Sequence, residues 1–134
     1  GPLERAHIVR RENRRSLNAL YGRDVDRIGY TDQLLSASIG DDFYMGISEF
    51  APGKSGHRPF MRYHEPGCHH GLLLEGELEL SLEDETIVLN AGDSYSFDQR
   101  KRHRVRNLAS KKAVLVWAVS PVTLDVAEND PVQD

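Results

Sequence analysis

Three histidines, His64, His69 and His103, are separated by sequence that alternates as β-strands do, and they can meet only if a sheet curls back on itself. A closed barrel or a sandwich does this; a helical bundle with such spacing does not. The alternation is clearest at Leu78, Leu80 and Leu82, which interleave with Glu77, Glu79, Ser81 and Glu83 as in a strand with one wet face. Period two puts Phe60, Arg62 and His64 on one face of an earlier strand, with Met61 and Tyr63 on the other. His103, Val105 and Asn107 share a face in the same way, leaving Arg104 and Arg106 opposite.

The remaining segments extend the pattern. Tyr30 to Ile39 and Phe43 to Phe50 read as paired strands joined at Gly40-Asp41-Asp42, residues that tolerate a tight turn. Ala51 to Gly56 is a loop by composition, and Glu65-Pro66-Gly67 interrupts the chain before His69. Leu72, Leu73 and Leu74 predict a strand apolar on both sides, Thr86 to Leu89 and Tyr95 to Phe97 two further strands, and Ala113 to Val119 a near-continuous apolar one. Short entry strands are expected near His7 to Arg11 and Leu17 to Tyr21, and no helix. Residues 1–6 read as the scar of a cleaved tag and a linker, residues 7–124 as one domain, and residues 125–134 as an acidic, disordered tail.

Composition removes several function classes. A chain of 134 residues is long enough to bury one core. It has no run of about 18 apolar residues that would argue for a membrane span. A formal charge of −4 argues against an autonomous nucleic-acid binder, and the basic runs at Arg10 to Arg15 and Arg100 to Arg106 read as solvated segments. The single cysteine, Cys68, excludes an internal disulfide and suits a reducing cytoplasm; strand parity makes it a packed, inert thiol beside the site.

The intervals are specific. Gly56 is followed by five residues, Arg62-x-His64, four residues, His69, six residues and Gly76; Gly92 is followed by ten residues, His103, three residues and Asn107. This resembles the two motifs of the cupin superfamily, with every interval kept. Arg62 stands where the pattern has its first histidine, His69 where it has glutamate, and Asp98 and Arg100 where it has Pro and Gly. Phe50 to Gly53, Leu74 to Leu80, Ala91 to Phe97 and Val116 to Pro121 also look like segments of the subgroup in which the barrel is the ligand-sensing half of a bacterial helix-turn-helix regulator of the XRE type.

The resemblance implies an all-β fold, a double-stranded β-helix or jelly-roll barrel, with His64, His69 and His103 turned inward as candidate metal ligands. Three imidazoles suit Zn, Fe, Ni or Cu better than Mg or Ca. Arg62 opposes this, because a fixed cation nearby raises the cost of binding a metal. As a ligand contact, Arg62 points to a small acidic metabolite, with Tyr95 lining the remaining wall; as a structural residue it would pair with Glu49. The implied role is an effector-sensing domain rather than an enzyme, homodimeric, meeting DNA only through an upstream domain. The alternative is a metal-dependent dioxygenase, isomerase or lyase. His57, in a loop, and His70, opposite His69, are not expected to be ligands.

Overall fold

The computed structural model describes residues 1–53, 58–121 and 131–132. Ten strands form two five-stranded sheets. In chain order they are β1 (Tyr30–Leu34), β2 (Tyr44–Phe50), β3 (Phe60–Met61), β4 (Cys68–Glu75), β5 (Glu77–Leu82), β6 (Glu85–Asn90), β7 (Ser94–Asp98), β8 (His103–Arg106), β9 (Ala113–Val119) and β10 (Pro131–Val132). One sheet runs β1-β2-β9-β4-β7 and the other β10-β3-β8-β5-β6, with every printed pairing antiparallel. This is the double-stranded barrel that the motif spacing implies. Of the expected acidic tail, Pro131–Val132 pair with Met61 and Phe60; residues 122–130 and 133–134 lie outside the described residues.

Alternation decides which side chains fill the space between the sheets. Leu73, Leu78, Leu80, Leu89, Phe97, Val105, Ala113 and Leu115 form the buried cluster, with Tyr30 and Phe50 closing one end. Each large apolar side chain removed from water there contributes about 1.5–3 kcal/mol. The opposite parity of the first sheet leaves Met45, Leu72 and Leu74 exposed on its outer face. Between β4 and β5 the chain reverses at Gly76, whose φ of 83° and whose closeness to the Lys112 carbonyl, 2.4 Å from where a Cβ would sit, admit only glycine.

The region before β1 is helical rather than extended. Helix α1 spans Pro2–His7, α2 Leu17–Leu20 and α3 Val25–Ile28, with a 3-10 turn at Arg11–Asn13. The two entry strands expected there are not formed. Side-chain capping explains the helices: Ser16 accepts from Ala19 N, Asp24 accepts from Asp26 N, and Gly29 ends α3 with φ 80°. Helix α2 packs on β1, and its buried Asn18 donates to the Tyr30 carbonyl and accepts from Asp32 N. Arg15 O accepts from Leu34 N at 2.9 Å, so the lead-in is tied along the length of β1.

Candidate functional site

An interior cavity of about 160 Å³ lies between the sheets near the end where Tyr30 and Phe50 sit. Its floor is a row of cross-strand partners on four adjacent strands: Gly46 on β2 faces Trp117 on β9, which faces Gly71 on β4, which faces Tyr95 on β7. A Cβ on Gly46 would lie 2.2 Å from the Trp117 ring, and one on Gly71 would lie 2.3 Å from the Tyr95 ring. Each glycine therefore leaves the room into which a neighbouring aromatic ring lies across the sheet. Trp117 Nε1 donates to Ser48 Oγ at 2.7 Å, Ser48 donates to Asp32, and Arg23 pairs with Asp32 at 2.9 Å. That end of the cavity is internally satisfied.

The rest of the lining includes His69, His103, Tyr63 and Phe97. The two imidazole centroids are 5.1 Å apart in an edge-to-face arrangement, and Phe97 lies 4.9 Å from His103. Tyr63 lies 5.6 Å from His69 and 5.9 Å from His103. His103 Nδ1 lies 2.7 Å from the Lys101 carbonyl, which can only accept, so Nδ1 carries the proton and Nε2 is left as an acceptor in the neutral ring.

Burial sets the protonation states. Removal from water pushes the His69 pKa down to about 3, and neighbouring His103 pushes it the same way; Gln99 opposes this, although Gln99 Oε1 itself meets no partner at hydrogen-bonding distance. Burial also lowers the His103 pKa and raises that of Tyr95 to about 12. Both imidazoles and the phenol are neutral at pH 7.

Three guanidinium groups reach this cavity: Arg23 is paired with Asp32, Arg104 lies over Phe60, and Arg58 faces the aromatic wall. The Arg58 guanidinium lies over Tyr30 at 4.3 Å, and Nη1 donates to the Val105 carbonyl at 3.3 Å. Its field lowers the pKa of His69 and of His103, and works against burial at Tyr95. Among the described residues, no carboxylate lies within ion-pair distance of it. A wider outer depression, lined by Arg23, Arg27, Arg58 and Tyr63 along with Asp24, adjoins the same mouth.

Several expectations about site residues need correction. Arg62 and His64 are exposed and do not line the cavity; Met61 and Tyr63 do. The cause is Phe60, which parity predicts to be inward. It is buried instead under the guanidinium groups of Arg102 and Arg104, 3.4 and 3.8 Å from its ring, and this inverts every side chain that follows. The basic run at Arg100 to Arg106 is thereby partly structural, since Arg106 also pairs with Glu79 and Arg100 with Asp98. Glu49 approaches Lys112, at 3.7 Å. Cys68 is exposed rather than packed. His70 is exposed, on the face opposite His69, and His57 lies outside the described residues. Tyr95 lines the cavity, as do His69 and His103. Asn107 does not; it is fully buried and donates to the carbonyls of Phe50, Ala51 and Lys111.

The donor set does not fit the expected Zn, Fe, Ni or Cu. With His64 outside, only His69 and His103 remain, and a fixed cation acts on both. Among the described residues, no group of three or more His, Cys, Asp or Glu is gathered to hold a metal.

The architecture is a two-sheet β-barrel with a cavity lined by aromatic rings and reached by Arg23, Arg58 and Arg104. The chain belongs to the cupin family: residues 46–119 match the model of the cupin domain. A curated relative, "Polyketide synthase CurC" of Streptomyces cyaneus, is 32% identical over 79 residues, covering 59% of this chain and 49% of that protein; the chain thus spans about half of the relative's length. Among solved structures, the cupin domain of an XRE family transcriptional regulator from Enterobacter cloacae is similar with a TM-score of 0.61 at 21% identity, over 71% of this chain and 99% of that one. An RmlC-like cupin from Shewanella frigidimarina is similar with a TM-score of 0.66 at 19% identity, over 89% and 94% of the two chains. Among the described residues, no helix is long and apolar enough to cross a membrane.

Proposed function

We propose that this cupin domain senses a small organic acid in its interior cavity, without a metal, as the non-catalytic half of a bacterial transcription regulator. It acts as a cytoplasmic homodimer, with DNA contacted by a separate upstream helix-turn-helix domain. The observation that carries the acid reading is Arg58: a guanidinium facing an aromatic cavity with no carboxylate partner among the described residues recovers its desolvation cost from a ligand anion. Arg58 thus takes the role that sequence parity assigned to Arg62. The regulator role rests on the motif resemblance and on the likeness to the Enterobacter cloacae domain. The second reading, an enzyme, draws on the His103 Nε2 acceptor; it lacks the third metal ligand that a metal-dependent reaction in this site would use.

The test is thermal shift with acetate, succinate and benzoate against the matching amines. Acids should raise the melting temperature through linkage, and amines should not. Charge-assisted contacts of this kind are worth about 1.5–3 kcal/mol, so Arg58→Met should weaken acid binding about tenfold or more, whereas Arg62→Met should leave it unchanged. Stabilisation by amines that survives Arg58→Met refutes the reading.

A further inference from the structure

We infer that the acid is aromatic and has a single ring. The inference rests on the acid-binding reading above and narrows it by size and by the shape of the walls. A dry cavity of about 150 Å³ is known to hold one benzene ring, and the cavity here is about 160 Å³. One ring fills that volume, with its carboxylate directed to Arg58 at the mouth; a fused second ring would have to extend past the mouth.

The walls favour a flat π-surface over an equally greasy aliphatic one. The glycine-aromatic row Gly46-Trp117-Gly71-Tyr95 lays two aromatic rings across the sheet and leaves the space above them clear. His69 and Phe97 extend that floor on the same sheet, and the rings of Tyr63 and His103 face it from the β3–β8 side, so a guest meets π-systems on both sides. Polar groups at the far end do not compete for it, because Ser48 and Asp32 are engaged with Trp117 and Arg23. A cationic ring would suit the aromatic box but not Arg58, which leaves an anionic one.

Isothermal titration of the protein with benzoate, cyclohexanecarboxylate, 2-naphthoate, acetate and benzylamine separates the possibilities. Benzoate is expected to bind at least threefold more tightly than cyclohexanecarboxylate, and at least tenfold more tightly than acetate or 2-naphthoate. Tyr95→Leu, which removes a π-face while retaining bulk, should bring benzoate and cyclohexanecarboxylate to within twofold of each other. If cyclohexanecarboxylate or 2-naphthoate matches benzoate in the wild-type protein, the single-ring inference is overturned while the acid reading stands. Binding of benzylamine in preference to every acid, or binding of no acid at all, overturns both.

Discussion

Acidification should destabilise this fold through His69 in a way that can be isolated by one substitution. The ring has an ordinary pKa of 6.5, held down to about 3 by burial between Tyr63, Phe97 and His103. A base whose folded pKa lies below its unfolded one contributes no penalty above pH 6.5; as pH falls from there towards 3, the unfolded chain takes up a proton that the folded state refuses. Stability then falls by about 1.36 kcal/mol per pH unit for this group. At pH 5, which is 1.5 units below the ordinary value of 6.5, the deficit is about 2 kcal/mol. His103 is shifted in the same direction and adds to it. Carboxylates titrate too, but they are common to wild type and variant. Urea unfolding followed through Trp117, the single tryptophan, at pH 7 and pH 5 in wild type and His69→Leu gives the difference directly. The variant should lose about 2 kcal/mol less than wild type over that interval. Equal losses in the two proteins would show that the His69 ring is solvated in the folded state, and the reasoning about burial would fail with it.

Two further outcomes are expected. Asn107→Ala should cost about 1–3 kcal/mol in urea unfolding, because the carbonyls of Phe50, Ala51 and Lys111 lose their donor in a fully buried place; an unchanged midpoint would show that water replaces it. Light scattering should give a dimer, since Met45, Leu72 and Leu74 leave an apolar outer face on the first sheet, and Leu72→Lys should shift it to monomer; a 15.1 kDa particle from the wild-type protein refutes this.

What the sequence made legible follows from what alternation encodes. Strand β9 forms over the seven residues from Ala113 to Val119 that its apolar run predicts, and the β5 leucines face inward as their interleaving with glutamates requires. Alternation fails where hydrophobicity and direction part company. Phe60 is apolar and buried, yet it does not line the cavity, because the guanidinium groups of Arg102 and Arg104 cover its ring at 3.4 and 3.8 Å. Nothing in a period-two pattern distinguishes burial under cations from burial in a core. The Arg102-x-Arg104 pair flanking His103, the cross-strand partner of Met61, was the available signal. Helices α2 and α3 have four residues each, too few for a helical period to show, and only Ser16, Asp24 and Gly29 marked their ends. Arg58 escaped notice because it precedes β3 and belongs to no alternating run.

The attachment of α2 has a mechanical consequence. Asn18 grips β1 at two points, Tyr30 and Asp32, and both of those residues line the cavity. Leu17, Tyr21 and Arg23 reach the same space from the amino-terminal side. A tug on the chain before Ser16 therefore does not run out along a slack tether; it is delivered to the cavity wall, and a guest that braces that wall resists the tug in return.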